Sequence, residues 1–385
     1  MRVLVTGGGT GGHVSPALAV IEVLRKRDQT IVFRYVGSET GIEAKLAREA
    51  GLEFVAVASG KLRRSSKGPF GLLTAANIRD AIKVPQGFFQ ALKAVKEFKP
   101  DVVFATGGYV SVPAVLAAAM LRIPIITHEQ TVTVGLANKI NGRYAKRIAL
   151  SFEGALDELS PGLRKKAFVT GNPVREVIFA GRAESAVSRF GFDLTDECLP
   201  CVYVTGGAQG SHILNDAVKD ALPELLKQAR VLHQCGEKDA EALLAYHKTL
   251  TPQQQRRWTV RPFIQTDEIG DAYALANLLV CRSGAGTVTE VCALGKPAVF
   301  VPLVPTSGDE QTRNAQRLVE AGAAVIVKQS ECSGTTLLAA ILPLLDDRSQ
   351  RAGMGGKAKK LATPRAAEDL ADAILGLVPL EQSHK

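Results

Sequence analysis

The residues of this chain able to do chemistry cluster where apolar runs give way to glycine. The first cluster is Gly7-Gly-Gly-Thr-Gly-Gly12 followed by His13, five glycines in six positions, broken only by Thr10. Glycine lets a backbone turn tightly and come close to a ligand. A helix start behind the turn offers free N–H groups and a partial positive charge. The apolar run Arg2–Thr6 before the turn and the amphipathic run Val14–Arg27 after it supply that setting, with Pro16 in the first helical turn. Strand, glycine turn and helix in this order suit a phosphate or diphosphate. His13 adds a group that exchanges protons near neutral pH. A helix N-terminus disfavours the charged imidazolium, and a neutral imidazole can act as a general base. The plainer alternative is a structural histidine.

Two further glycine turns occur at Gly107-Gly108, before Tyr109, and at Gly206–Gly210. Tight turns need glycine for structural reasons alone, so each is weak by itself. His128-Glu129-Gln130 closes the apolar run Ile123–Thr127. It serves either a ligand at a strand end or a set of loop-to-backbone hydrogen bonds. The densest stretch runs from Cys281 to Glu290. Ser283 and Thr287 can cap the helix predicted there or bind a phosphate. Glu290 can accept two hydrogen bonds from a ribose diol, or simply favour the helix dipole. In the loop Pro302–Asn314, Gln311 and Asn314 read as sugar-binding amides and Asp309 as an N-cap.

Other chemistries have weaker support. Gly7–Gly12 matches the dinucleotide pattern by letter, and Glu39 could bind a ribose, so a nicotinamide enzyme stays open. There is no Walker lysine pattern and no Asp-x-Asp at a strand end. No metal or other cofactor is expected, and diphosphate charge would be met by helix N-termini with Arg175 and Arg282. Cys198-Leu-Pro-Cys201 has CxxC spacing without an answering pair. It reads as ordinary thiols, with a metal or redox role as the alternative.

The totals bound these readings. A length of 385 residues suits two α/β units. Hydrophobic residues make up 46%, enough for large cores, yet no apolar run reaches the roughly 18 residues of a membrane span. No signal peptide is visible, so a cytoplasmic setting is expected. A net charge of +9 favours anionic partners. An aromatic content of 5% weakens a base-stacking account, so no nucleic-acid partner is expected.

The elements that must position these groups alternate. Strands are predicted at Arg2–Thr6, Thr30–Val36, Phe54–Val57, Val102–Ala105, Ile123–Thr127, Arg147–Leu150 and Ala167–Thr170. Helices are predicted at Val14–Arg27, Gly41–Ala50, Pro85–Lys99, Val112–Leu121 and Val134–Tyr144. The scheme restarts with a strand Cys201–Thr205, the turn Gly206–Gly210 and a helix Ile213–Gln228. Strands follow at Val231–Cys235, Trp258–Val260, Leu278–Cys281, Ala298–Val301 and Ala324–Ile326. Such alternation implies parallel sheets covered on both faces, with ligands at the carboxyl ends of the strands. Gly171-Asn-Pro-Val-Arg175 reads as the hinge between residues 1–170 and 176–362. A last helix, Thr363–Leu377, with Leu370, Ile374 and Leu377 apolar, is expected to pack back across the junction within residues 363–385.

Residues 60–100 hold nine Lys or Arg against two Asp or Glu, with Leu62, Phe70, Leu72, Leu73, Ile78, Ile82, Phe88 and Phe89 between them. A basic, apolar segment can lie on an anionic membrane surface. The alternative is a pair of helices whose apolar side is core.

Taken together the motifs carry a resemblance. Gly8–His13, Gly107–Ser111, His128–Gln130, Gly171–Arg175, Gly206–Gly210, Cys281–Ala285 and Gln311–Asn314 stand in the order found in the MurG family, the peptidoglycan N-acetylglucosaminyltransferases of glycosyltransferase family 28. The resemblance spans nearly the whole chain. It implies the GT-B fold, two Rossmann-like domains facing a central cleft. It implies inverting transfer of GlcNAc from UDP-GlcNAc to the MurNAc C4 hydroxyl of lipid I, giving lipid II, at the cytoplasmic face of the plasma membrane. It assigns the acceptor and membrane to residues 1–170, and UDP-GlcNAc to residues 176–362.

Residue by residue, His13 resembles the general base, with Glu129 also placed among the catalytic groups. Thr10, Gly11 and Gly12 resemble donor contacts of the first turn. Gly107, Gly108 and Tyr109 resemble the loop that meets the acceptor diphosphate. Arg175 resembles a donor ligand at the hinge, and Ile264 the uracil contact. Arg282, Ser283, Ala285, Gly286 and Thr287 fall in the nucleotide-binding stretch, with Glu290 on ribose and Gln311 on the GlcNAc hydroxyls. Residues 62–92 resemble the membrane patch, and proteins of cell-wall synthesis are implied as further partners. Thr131 stands where the family usually has Asn, and Ala208 where it usually has Ser, with Ser211 near enough to supply a hydroxyl. A different nucleotide sugar or lipid acceptor, as in a diacylglycerol glucosyltransferase, and a non-catalytic nucleotide-sugar scaffold are the alternatives.

Overall fold

The computed structural model describes residues 1–60, 75–193, 196 and 198–378. The chain divides into two compact units, Met1–Arg175 with Thr363–Lys385, and Glu176–Ala362.

In the first unit the strands are β1 (Arg2–Thr6), β2 (Val32–Gly37), β3 (Glu53–Ala56), β4 (Val102–Ala105), β5 (Ile125–Glu129), β6 (Arg147–Leu150) and β7 (Ala167–Val169). The helices are α1 (Gly11–Arg27), α2 (Ile42–Glu49), α3 (Ala75–Phe98), α4 (Ser111–Met120), α5 (Leu136–Tyr144) and α6 (Pro161–Arg164). The seven strands form one parallel sheet in the order β3-β2-β1-β4-β5-β6-β7. Val3, Leu4 and Val5 are all fully buried, because helices cover both faces. Alternation along the strand sends Val3 and Val5 into one apolar cluster with α1, and Leu4 into another with α3 and α4.

The second unit contains α7 (Ala183–Arg189), β8 (Cys201–Thr205), α8 (His212–Leu225), β9 (Arg230–Gln234), α9 (Glu237–His247), α10 (Pro252–Arg257) and β10 (Trp258–Arg261). It continues with α11 (Ile269–Leu275), β11 (Leu278–Cys281), α12 (Ala285–Leu294), β12 (Ala298–Phe300), α13 (Glu310–Glu320), β13 (Ala324–Ile326), α14 (Gly334–Asp346) and α15 (Arg348–Lys360). Its six strands are parallel in the order β10-β9-β8-β11-β12-β13. Each sheet therefore reverses its strand order once, between β1 and β4 and between β8 and β11. That reversal is the ligand-binding position of a doubly wound sheet.

Three boundaries differ from expectation in ways that matter. α1 begins at Gly11 rather than Val14, so Gly11, Gly12 and His13 form its first turn. Glycine disfavours helix interiors, but the orphan N–H groups of a first turn tolerate it. β5 runs to Glu129 rather than ending at Thr127, so His128 and Glu129 are strand residues. α3 starts ten residues before Pro85, which lies inside it. Its second half is anchored on the loop after β3. The Gln90 side chain accepts from Ala58 N at 2.7 Å, and a Cβ on Gly87 would lie 1.8 Å from Ala58 O. Leu62, Phe70, Leu72 and Leu73 lie outside the described residues. Phe88 packs on the core, whereas Phe89 is 66% exposed.

The last helix, α16 (Ala366–Leu375), belongs to the first unit. Leu370 and Ile374 are buried in the α1 cluster, with Leu377 packed at its edge. Arg27 at the end of α1 pairs with Asp372. Among the described residues no helix is long and apolar enough to cross a membrane. No group of three His, Cys, Asp or Glu there could hold a metal. Cys201 is buried on β8, and burial pushes its thiol up to about 12, so the CxxC spacing yields no reactive thiolate at that position.

Two outcomes follow from this packing. Leu370→Ala should cost about 2–5 kcal/mol in urea unfolding, since a fully buried leucine leaves a cavity between α16 and α1. His233, buried on β9, is held down to about 3 by burial, against an unfolded value of about 6.5. Between those values the unfolded chain binds the extra proton, so stability falls as pH drops from about 6.5. His233→Phe should flatten that slope in unfolding measured across pH.

Candidate functional site

In the first unit the turn after β1 and the turn after β4 interlock at the strand-order reversal. Gly8 N donates to Gly107 O at 3.3 Å. Gly108 has φ +77°, and a Cβ there would lie 2.1 Å from Gly8 O. A Cβ on Gly9 would meet the Tyr109 ring at 3.0 Å. Packing therefore demands glycine at these positions. At Gly11, by contrast, an added Cβ would meet nothing within 4 Å. Thr10 is exposed and N-caps α1 through its backbone, without a side-chain cap.

Two residues that the sequence reading missed hold the first turn from beneath. Glu43 is fully buried and accepts from Gly9 N (3.1 Å), Ser38 N (3.1 Å) and Ser38 Oγ (2.5 Å). It lies in the first turn of α2. Tyr35 Oη donates to Gly7 O at 2.7 Å. An acid in a first helical turn is too common a pattern to have marked Glu43.

His13 reaches from the first turn of α1 to the end of β4. Its Nδ1 lies 2.9 Å from Thr106 O and 2.7 Å from Gln130 Oε1. Gln130 Nε2 lies 3.0 Å from His128 Nδ1 and 3.1 Å from His128 O. His128 Nε2 lies 3.1 Å from Gly171 O. Burial holds the His128 imidazole down to about 4, so it is neutral. One hydrogen-bonded line thus joins the start of α1 to Gly171.

Glu129, expected among the catalytic groups, is bonded to the segment that follows β5. Its Oε1 accepts from Thr131 N (3.1 Å) and lies 2.9 Å from Thr131 Oγ1, whose one proton is nearer Thr133 O at 2.6 Å. Its Oε2 accepts from Gly135 N and Asn138 Nδ2, both at 2.9 Å. Both carboxylate oxygens are thus tied to the segment that follows β5. Glu129 holds the loop from Thr131 to Gly135, and Thr131 is one of its anchors. At the other end of the unit, Gly171 (φ +88°) packs so closely that a Cβ would lie 2.1 Å from Thr363 Oγ1. Arg175 is half-buried with Nε unpartnered among the described residues.

In the second unit the turn after β8 and the turn after β11 again meet at the reversal. Arg282 is 8% exposed and donates to Val301 O (2.8 Å) and Ser211 Oγ (2.6 Å). Burial disfavours its charge. Ser211 N-caps α8, accepting from Leu214 N, and keeps its own proton to donate. Ala208 is exposed in the turn.

Ser283 was expected to cap α12 or bind a phosphate. Gly284 caps the helix instead, and Ser283 is fully buried with Oγ donating to Gln311 O at 2.8 Å. Asn314, expected as a sugar-binding amide, is also fully buried and donates to Ser283 O at 3.1 Å. Together they staple α13 to the start of α12. Asp309 precedes α13 with φ +51° and accepts from Thr312 Oγ1 rather than from a backbone cap donor. Gln311 Oε1 accepts from Leu303 N at 3.0 Å, which turns its amide nitrogen to the other side.

The N-cap of α12 is Gly284, and the first turn holds Ala285, Gly286 and Thr287 with the orphan N–H groups of any helix start. Added Cβ atoms on Gly284 and Gly286 would meet nothing within 4 Å. Glu290, one turn further on, accepts from Tyr273 Oη at 2.5 Å. Burial holds the Tyr273 phenol well above its ordinary value, so it remains a donor. Nothing in the sequence marked Tyr273. Ile264 is 3% exposed, with its side chain in the core.

Residues 3–150 match the glycosyltransferase family 28 N-terminal domain and residues 201–370 its C-terminal domain. A relative from Syntrophus aciditrophicus is 36% identical over 385 residues, covering 99% of each chain, and one from Halothermothrix orenii is 34% identical, covering 97% of this chain and 98% of its own. Both are named UDP-N-acetylglucosamine–N-acetylmuramyl-(pentapeptide) pyrophosphoryl-undecaprenol N-acetylglucosamine transferase. The crystal structure of Acinetobacter baumannii MurG superposes with a TM-score of 0.69 at 29% identity, covering 97% of this chain and 99% of that one. With its two Rossmann-like units this is the GT-B fold, and the chain belongs to glycosyltransferase family 28, among its MurG transferases.

Proposed function

We propose that the protein transfers N-acetylglucosamine from UDP-N-acetylglucosamine to the C4 hydroxyl of the MurNAc unit of undecaprenyl-pyrophosphoryl-MurNAc-pentapeptide, lipid I, to give lipid II. The observation that carries the reading is the His13 ring. Its Nδ1 is engaged by Thr106 O and Gln130, which leaves Nε2 for a substrate hydroxyl. Full-length similarity to transferases of that name sets the donor and acceptor.

Inversion at the anomeric carbon needs a single displacement. The acceptor C4 oxygen attacks C1 of GlcNAc, the bond from C1 to the diphosphate oxygen breaks, and UDP leaves. His13 Nε2 takes the hydroxyl proton as the new bond forms. Negative charge gathers on the departing diphosphate and is met by first-turn N–H groups of α12 and α8, with the Ser211 hydroxyl beside them. Glu290, oriented by Tyr273, accepts from the ribose diol. The Ile264 main chain meets uracil, and the Gln311 amide meets the sugar hydroxyls. Thr10, Gly11, Gly12 and Arg175 complete the donor contacts, and Gly107, Gly108 and Tyr109 meet the acceptor diphosphate. Thr131 and Ala208 act through the loops that carry them.

We also assign the enzyme to the cytoplasmic face of the plasma membrane as a peripheral protein. Its supports are the excess of basic residues between 60 and 100 and the exposed Phe89 and Val84 on α3. Contacts with other cell-wall synthesis proteins belong to the same proposal.

Three measurements test these assignments. UDP release from UDP-GlcNAc should require a short-chain lipid I analogue. Turnover only with another lipid or another nucleotide sugar would overturn the substrate assignment. His13→Ala should lower kcat by about 10²–10⁴-fold while calorimetry shows UDP still binding, and unchanged turnover would remove His13 from the chemistry. Glu290→Gln should raise KM for UDP-GlcNAc by about 10- to 100-fold, the loss expected for hydrogen bonds to a charged acceptor.

A further inference from the structure

Gln130 lies between His13 and His128 and is almost fully buried. One end of its amide faces His128 O at 3.1 Å. A main-chain carbonyl only accepts, so that end of the amide is the NH2 group. The opposite end is then the oxygen, which also only accepts. It lies 2.7 Å from His13 Nδ1, so that nitrogen must carry a proton. Thr106 O, 2.9 Å from the same nitrogen, shares that proton as the longer second acceptor, so the amide oxygen is its main partner.

The other side of the amide sets the opposite pattern on His128. Its Nδ1 accepts from Gln130 Nε2, and its Nε2–H donates to Gly171 O at 3.1 Å. A single buried amide thus holds two imidazoles in opposite tautomers. The main-chain carbonyls of Thr106, His128 and Gly171 tie each member of the line to the fold.

We propose that Gln130 is a positioning residue that keeps His13 in its Nδ1–H form and turns the Nε2 lone pair outward as the base. This deepens the reading of His13 as the general base and rests on it. The need is physical: which imidazole nitrogen carries the proton is decided by the hydrogen bond the other makes. In the other tautomer Nε2 would present a hydrogen to the acceptor hydroxyl and could take no proton from it. When His13 becomes an imidazolium, Nδ1–H keeps both its acceptors, so proton transfer demands no rearrangement behind the ring.

The test reads the ring directly. Long-range nitrogen–proton NMR on protein labelled at histidine resolves tautomers, and the chain has only six histidines. His13→Gln identifies the His13 signals by difference. Well above the ordinary imidazole pKa of about 6.5, His13 should show the Nδ1–H pattern and His128 the Nε2–H pattern. Gln130→Met, of similar size but with no hydrogen bond to give, should mix the His13 tautomers. It should also lower kcat about tenfold with KM for UDP-GlcNAc unchanged, whereas simple loosening of the site would move KM as well. An Nε2–H pattern on wild-type His13 would overturn the proposal even if Gln130→Met failed to fold. So would a folded Gln130→Met protein with unaltered ring signals and kcat. Full turnover by His13→Ala would defeat the base assignment while leaving the tautomer measurement intact, so the two failures are told apart.

Discussion

The site depends on how closely two pieces of backbone approach each other. Where β1 and β4 lie side by side, the turns that follow them are in van der Waals contact through Gly8 and Gly108, and no side chain fits between. That contact brings the first turn of α1 against the end of β4, so that a ring on α1 can reach a carbonyl on the neighbouring turn. His13 is that ring, and Thr106 supplies the carbonyl. Glu43 and Tyr35 brace the arrangement from below, with a carboxylate under Gly9 and a phenol on the Gly7 carbonyl. An imidazole positioned in this way owes little to flexible side chains. Its precision comes from the sheet register and from the glycines that let the turns touch.

The second unit solves a different problem with the same strand order. There the polar side chains at the reversal are spent inward. Arg282 ties the ends of β11 and β12 to the start of α8, and Ser283 with Asn314 ties α13 to α12. What remains for a ligand is mostly main chain, the orphan N–H groups at the starts of α8 and α12. For a diphosphate this is effective chemistry. Fixed amide dipoles need no reorganisation as charge builds on the leaving group. Glu290 is a partly exposed side chain with its own brace in the Tyr273 phenol.

The architecture was legible because its signals are local. Alternating apolar runs and glycine turns marked both sheets, and the motif order marked the family. What was hidden is the use to which each polar side chain is put. Ser283 and Asn314 have the residue types of ligand contacts, and only the packing of α13 shows that they bond each other's loops. Cys201 carries the spacing of a redox pair, and only the depth of β8 shows a thiol held in its neutral form. Glu43 and Tyr273 escaped notice for the converse reason: each is an ordinary residue on a helix, made important by a partner on another element. Element ends were misjudged where tertiary contacts outweigh propensity, as when α3 runs through Pro85 because Gly87 and Gln90 dock on the Ala58 backbone.

The triplet at the end of β5 shows how a strand sorts adjacent polar residues into separate tasks. Neighbouring side chains on a strand point to opposite faces, so His128 and Gln130 share one side while Glu129 faces the other. The shared side lines up with His13 and carries the hydrogen-bonded line to Gly171. The opposite side gathers Thr131, Gly135 and Asn138 around one carboxylate and closes the loop into α5. The division also accounts for Thr131 in the place of the family's usual Asn. What Glu129 takes from that position is chiefly the backbone N–H, which any residue but proline supplies, while the hydroxyl's one proton is nearer Thr133 O at 2.6 Å and holds the loop itself.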